Sequence, residues 1–152
     1  MFDLWRTHPN VSTVCEEYVK AAHGGIGRLL TQFRLDLSPL NYQLYLFKIN
    51  DNPFCPSCGN NFETLSHYFI DCHTYRCHRE LLMQDLFEIF YKAGFMNNTI
   101  LISANEILSA ITNGLPQAFV TAAQNKCLNI RLFQSVKRYI LLTKRFSSDF
   151  YF

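Results

Sequence analysis

The stretch Cys55-Pro56-Ser57-Cys58-Gly59-Asn60-Asn61-Phe62-Glu63-Thr64-Leu65-Ser66-His67-Tyr68-Phe69-Ile70-Asp71-Cys72 brings three sulfurs and one imidazole into eighteen residues. Its spacing is Cys-x2-Cys-x8-His-x4-Cys. Two cysteines separated by two residues, in a turn that Pro56 and Gly59-Asn60-Asn61 favour, can aim both sulfurs at one point. His67, near the end of a short helix, and Cys72, about one turn beyond it, converge from the other side. Zn2+ accepts such a mixed sulfur and nitrogen set as a tetrahedron, and a full set of four protein ligands leaves no position for water. The spacing therefore predicts a structural Zn2+ site held by Cys55, Cys58, His67 and Cys72. His73 and Cys77 follow closely enough to take the place of Cys72, so the fourth ligand stays open at this point. Cys15 and Cys127 stand alone and read as small buried apolar residues.

The rest of the chain sets bounds on what such a site does. With 152 residues, 49% of them hydrophobic and 15% aromatic, it has the composition of one globular domain with its own core. A domain of this size does not need a metal merely to be stable, so the ion would shape one region. The opening Met1-Phe2-Asp3-Leu4-Trp5-Arg6 carries an early acid and no apolar secretory core, and no run is long enough to span a bilayer. The expectation is an intracellular protein of the nucleus or cytoplasm, with no membrane partner and with its cysteines as thiols or ligands.

Apolar periodicity and punctuation give the elements. Val14, Tyr18 and Val19, then Ile26, Leu29, Leu30 and Phe33, read as two helices interrupted at Gly24-Gly25. Ser38-Pro39 signals a restart, with Ser38 as cap and Pro39 at the first helical position of about ten residues. Asp51-Asn52-Pro53 ends it, a hairpin or turn follows, and Thr64 caps the short helix that carries His67. A longer helix runs from about Tyr75 to Lys92, with Leu82, Leu86, Ile89 and Phe90 on one face and Gly94 as its stop. Ser103-Ala104-Asn105-Glu106 is a capping box for a helix over 104–113. A last helix from Pro116 or Gln117 to about Lys144 places Leu132, Phe133, Val136, Tyr139 and Ile140 on one arc.

The formal charge of +2 conceals an asymmetry. Residues 1–106 hold eight basic and eleven acidic side chains, whereas 107–152 hold six basic and one acidic. Arg131, Lys137, Arg138, Lys144 and Arg145 lie across the last helix from its apolar arc, a basic back suited to a polyanion. Arg76 and Arg79, with Tyr68, Phe69 and Tyr75 beside them, combine charge with rings that could stack on unpaired bases, although the helical spacing of those rings fits a place in the core equally well. Catalytic patterns are missing. Gly24-Gly25-Ile26-Gly27 lacks the ending of a phosphate loop and reads as a helix break. No pair of carboxylates is placed to hold two metal ions, and no cysteine and histidine pair has a third residue to orient it. The sequence predicts neither an enzyme nor a small-molecule site.

The chain resembles the zinc-binding C-terminal region of reverse transcriptases encoded by non-LTR (LINE-type) retroelements. The likeness spans about residues 25–152. It runs through Leu29-Leu30-Thr31-Gln32-Phe33-Arg34, Ser38-Pro39-Leu40, Cys55-Pro56-Ser57-Cys58, Glu63-Thr64-Leu65-Ser66-His67 to Cys72, Tyr75 with Arg79, and the closing Asn125-Lys126 and Tyr139-Ile140 to Phe146. Where that family often reads Arg-x-Gly, this chain has Arg34-Leu35-Asp36, which predicts a different local turn. The Tyr/Phe-x-Asp-Asp palm signature of the polymerase is absent. The resemblance implies a noncatalytic tail whose partners are element RNA or target DNA and the reverse transcriptase core.

The sequence thus predicts a mainly α, small helical domain over 1–152, organised around one Cys-Cys-His-Cys zinc knuckle with a short hairpin or turn. Helices at 11–50 precede the knuckle at 53–80, and helices at 81–152 follow it. Its nucleic-acid contacts are expected at Arg76, Arg79, Arg131, Lys137, Arg138, Lys144 and Arg145. The other expectation is a zinc-stabilised protein-interaction module without nucleic-acid contact.

Overall fold

The computed structural model describes residues 24–95, 102–115 and 121–147. The helix expected before Gly24, with Cys15, lies outside the described residues. Helix α1, Gly25–Arg34, buries Ile26, Leu29, Leu30 and Phe33, the stripe its spacing dictates. It ends where Asp36 turns left-handed at φ 52°, with the Leu37 N–H donating to the Gln32 carbonyl at 2.9 Å. Asp36, a non-glycine residue, thus takes a conformation that glycine favours.

Helix α2 is shorter than expected, Asn41–Leu46, and is capped neither by Ser38 nor led by Pro39. The carboxylate of Glu63 takes the Asn41 N–H at 2.7 Å, so a residue 22 positions along the chain satisfies the helix start. At its other end Lys48 turns left-handed, and the N–H groups of Lys48 and Ile49 donate to the Tyr45 and Leu44 carbonyls at 3.0 and 2.9 Å. This closing motif stops the helix before Asp51-Asn52-Pro53 is reached. Asn50 and Asn52 then accept the N–H groups of Asn52 and Phe54, leading the chain into a small hairpin.

The hairpin is held by the isolated bridge between Phe54 and Phe62, by the Cys55 N–H to the Asn61 carbonyl at 2.8 Å, and by the Glu63 N–H to the Pro53 carbonyl at 2.9 Å. Among the described residues it is the nearest thing to a strand pair. Thr64 caps the next turn as expected, its hydroxyl accepting from the His67 N–H at 3.0 Å. That turn widens into a π-helical segment, His67–Asp71, then tightens into a 3₁₀ turn, His73–Tyr75, before helix α3 runs over Arg76–Lys92.

Helix α4, Ala104–Asn113, carries the expected capping box of Ser103 and Glu106. Helix α5, Ala122–Thr143, begins later than expected because Thr121 and Gln124 form a second capping box; the expected start at Pro116 or Gln117 lies outside the described residues. Between them Gly114, at φ 81°, lets the chain pass Asn129. A Cβ there would sit 2.8 Å from the Asn129 Oδ1 that accepts the Leu115 N–H.

The core has two joined parts. Leu82, Leu86, Ile89 and Phe90 of α3 pack on Leu132, Phe133, Val136, Tyr139 and Ile140 of α5, while α4 fills the space towards α1. The second part is aromatic: Phe33, Tyr68, Phe69, Tyr75, Tyr139 and Phe146 meet at centroid separations between 4.8 and 6.5 Å. Each such ring removed from water is worth about 1.5–3 kcal/mol. This aromatic half of the core lies directly against the segment that carries His67 and Cys72. Among the described residues no helix is long and apolar enough to cross a membrane.

Candidate metal centre

Cys55, Cys58, His67 and Cys72 converge, each offering one ligand atom, and these atoms all lie within 4.8 Å of one another. The Cys55 and Cys72 sulfurs are 4.0 Å apart, and the Cys58 sulfur is 3.3 Å from His67 Nε2. The fourth position, open on the sequence, is filled by Cys72. Cys77 and His73 are exposed and outside the cluster. The group is compatible with a zinc site.

Local backbone geometry explains the convergence. The hairpin presents Cys55 and Cys58 from one turn, with the Gly59 N–H donating to the Cys55 carbonyl at 2.8 Å and Gly59 itself at φ 71°. The π-helical turn contributes the other half. The Cys72 N–H donates to the His67 carbonyl at 2.8 Å, a five-residue closure that sets the two side chains on one side where a regular α-turn would not. Cys55, Cys72 and His67 are buried and Cys58 stands at the rim. A tetrahedral ion holding all four would have no free position for water.

The electrostatics differ among the four side chains. Burial pushes the Cys55 thiol up to about 11, against the N–H groups of Cys58 and Ser57. Burial would raise Cys58 as well, but N–H groups of Asn60 and Asn61 point at its sulfur and, with the neighbouring thiols, hold it below its ordinary value. Burial also lowers His67, against the pull of Asp71 and Glu63, which keeps a neutral imidazole with a free lone pair.

A ring of hydrogen bonds fixes this centre to the fold. Ser57 Oγ and the Tyr75 hydroxyl bond to each other, Thr74 donates to the Ser57 carbonyl at 3.2 Å, and Arg79 Nη1 donates to the Cys72 carbonyl at 2.8 Å. Tyr139 donates to the Tyr68 carbonyl at 2.6 Å, tying α5 to the π-helical turn. Glu63, missed as a site residue, is 0% exposed and receives Arg145 Nε at 2.5 Å and Nη2 at 2.7 Å, besides the Asn41 N–H. Burial would pull the Arg145 guanidinium down, yet the hydrogen bonds and charge of Glu63 raise it above its ordinary value. Glu63 had a sequence signal only as part of the Glu-Thr-x-x-His pattern; nothing in its neighbours marks it as interior.

The basic residues read as a polyanion surface are distributed differently. Arg145 faces inward. Arg138 pairs with Asp85 at 2.6 Å and Arg131 with Glu88 at 3.3 Å, so these two partly exposed side chains reach across the margin of the α3–α5 contact. Arg76 pairs with Glu80 at 3.4 Å on the exposed face of α3. Lys137 and Lys144 have no carboxylate in salt-bridge range among the described residues. Tyr68, Phe69 and Tyr75, whose spacing fits stacking rings or core alike, are core residues. Cys127 is exposed, not buried. The exposed rings belong elsewhere: Phe62 stacks on the half-buried Tyr42 at 5.3 Å with Phe54 against it, and Phe87 and Tyr91 project from α3.

Neither protein-family models, nor curated proteins, nor solved structures give a match to this chain.

Proposed function

We propose that the chain is a noncatalytic, zinc-clamped module that holds single-stranded nucleic acid, of the kind found at the C-terminal end of non-LTR retroelement reverse transcriptases. The observation that carries it is the closed Cys55, Cys58, His67 and Cys72 cluster joined through the Cys72 carbonyl to Arg79. Zinc is the ion that suits the set. Thiolate and imidazole ligands favour it, and zinc–sulfur bonds of about 2.3 Å in a tetrahedron separate sulfurs by about 3.8 Å, against 4.0 Å here. With no ligand position left, the ion's part is to fix the hairpin against the π-helical turn. The family reading rests on the motif.

The test is metal content by native mass spectrometry together with binding of a labelled RNA oligonucleotide across a salt series. One zinc per chain, lost in Cys55→Ser and Cys72→Ser, and an affinity that falls steeply with salt are the expected results. Zinc retained in both variants would remove the ligand assignment, and binding that is undetectable or indifferent to salt would remove the nucleic-acid role.

A second reading has its own observation. Tyr45, Leu46, Phe47 and Ile49 of α2 and its exit, with Phe54 and Phe62 of the hairpin, leave a large apolar area exposed. Such an area is a feature of protein-interaction surfaces. Tight association with a polymerase core in the absence of nucleic acid, abolished by Leu46→Asp and Phe62→Asp, would favour this reading.

A further inference from the structure

Resting on the nucleic-acid reading above, we propose that the strand binds along a specific groove on the outer face of α3, with phosphate at Arg76 and Arg79 and bases on Phe87 and Tyr91. The groove is a shallow, open depression of about 380 Å³ lined by Arg76, Arg79, Glu80, Met83, Gln84 and Phe87. It is open to solvent. Its ends differ in chemistry. Arg76 has a side chain 76% exposed, while Phe87 is 43% exposed and Tyr91, one turn further, is 69% exposed.

Charge and spacing favour a single nucleic-acid strand over an apolar partner. Four residues separate Phe87 from Tyr91, so the rings share one helix face about 6 Å apart along the axis. Two bases spread apart can each use one ring, because every base has a π-face to offer. Glu80 is the acid within the groove. Its pair with Arg76 is fully at the surface, at 3.4 Å, and exposed pairs of this kind are weak enough for a phosphate to displace. The acids on the other edge of α3, Asp85 and Glu88, are already matched by Arg138 and Arg131.

Arg79 connects the groove with the metal centre. One of its terminal nitrogens is held by the carbonyl of Cys72 at 2.8 Å and the guanidinium also bonds the Tyr139 hydroxyl, so the side chain that lines the groove is fixed from within. Loss of the ion frees the Cys72 segment and with it the orientation of Arg79. The groove thereby predicts zinc-dependent binding although the ion touches no ligand.

The experiment uses the zinc-loaded chain and fluorescence anisotropy with labelled oligo-uridine and oligo-thymidine. Phe87→Ala and Tyr91→Ala should each weaken binding about 5- to 150-fold. Arg76→Ala should lower the salt slope by about one. Tyr45→Ala, which removes an equally exposed ring from α2, should leave binding unchanged. Zinc content and thermal midpoint, measured for each variant, identify any that fail to fold; Phe87→Leu and Tyr91→Leu, which remove the ring and keep an apolar side chain, replace those. Wild-type binding that is insensitive to Phe87 and Tyr91 overturns the groove and leaves the nucleic-acid reading standing. Loss through Tyr45 instead moves the site to α2 and also overturns it. A wild-type chain that ignores both oligonucleotides ends the nucleic-acid reading and the groove together. If that chain self-associates in sedimentation and Phe87→Ala abolishes the association, the groove belongs to a second copy.

Discussion

Arg145→Met isolates the contribution of the buried pair that fastens the hairpin to the end of α5. Glu63 is 0% exposed and Arg145 16% exposed in their side chains, so the variant leaves a carboxylate inside the protein with only the Asn41 N–H for company. Breaking a buried pair by removing one partner costs about 3–5 kcal/mol, a large part of the roughly 5–15 kcal/mol that holds a domain together. The assay is urea denaturation of the zinc-loaded chain in excess zinc. Glu63→Gln alone should also destabilise, by leaving the guanidinium without a counter-charge. The double variant Glu63→Gln/Arg145→Met should lose less than Arg145→Met, because no uncompensated charge remains and the introduced amide oxygen can still accept the Asn41 N–H. Zinc affinity should fall along with stability, since Glu63 closes the hairpin that presents Cys55 and Cys58. A loss below about 1 kcal/mol in Arg145→Met, the value of an exposed pair, would refute the reasoning.

Three further outcomes are expected. Cys77→Ser and His73→Ala should keep a full equivalent of zinc with unchanged chelator competition, because both side chains are exposed and outside the cluster; reduced zinc in either would reopen the fourth ligand. Zinc affinity should rise with pH by at least about tenfold per unit between pH 6 and 8, since the Cys55 thiol, pushed up to about 11, is protonated throughout that range and must release its proton to bind. An affinity that stays flat in chelator competition at the two ends of that range would contradict this. Asp36→Gly should be tolerated or stabilise by up to about 1 kcal/mol, whereas Asp36→Val should destabilise by about 1–2 kcal/mol, as thermal melts would register. Equal midpoints for the two variants would mean that the left-handed turn is not required.

The parts of the fold that were legible in the sequence are those written in local chemistry. The capping box at Ser103, the stop at Gly94, the apolar stripes of α1, α3 and α5 and the ligand spacing all depend on residues a few positions apart. Elsewhere a distant residue decides. Helix α2 begins at Asn41 because Glu63 receives its first N–H, and it ends early because Lys48 adopts a conformation for which lysine carries no signal. The start of α5 is the exception, since Thr121 and Gln124 form a capping box from residues three positions apart. The rings Tyr68, Phe69 and Tyr75 stand beside arginines in the chain and at helical spacing, which left a stacking surface and a core open alike; the π-helical turn carries the first two, and all three are buried.

The charge asymmetry shows the same difference at the scale of the whole chain. A surplus of basic residues after residue 106 and of acidic ones before it reads as a surface for a polyanion if the two parts are taken separately. In the fold they meet. Arg131 and Arg138 bring α5 against Glu88 and Asp85 of α3, and Arg145 reaches Glu63 in the hairpin, so three of the six basic residues of the last third act as internal counter-ions. The two outer pairs are partly exposed and contribute little each, so their effect is on register more than on stability. They fix α5 along α3 while apolar burial supplies the energy. The consequence for function is indirect. By covering the acids on one edge of α3, α5 removes repulsion that would otherwise act against an anionic ligand on its other face, where Arg76 and Arg79 stand. A basic helix can thus favour a polyanion without contacting it, and for this chain the residues to test first lie on α3 and not on the helix whose charge first suggested the idea.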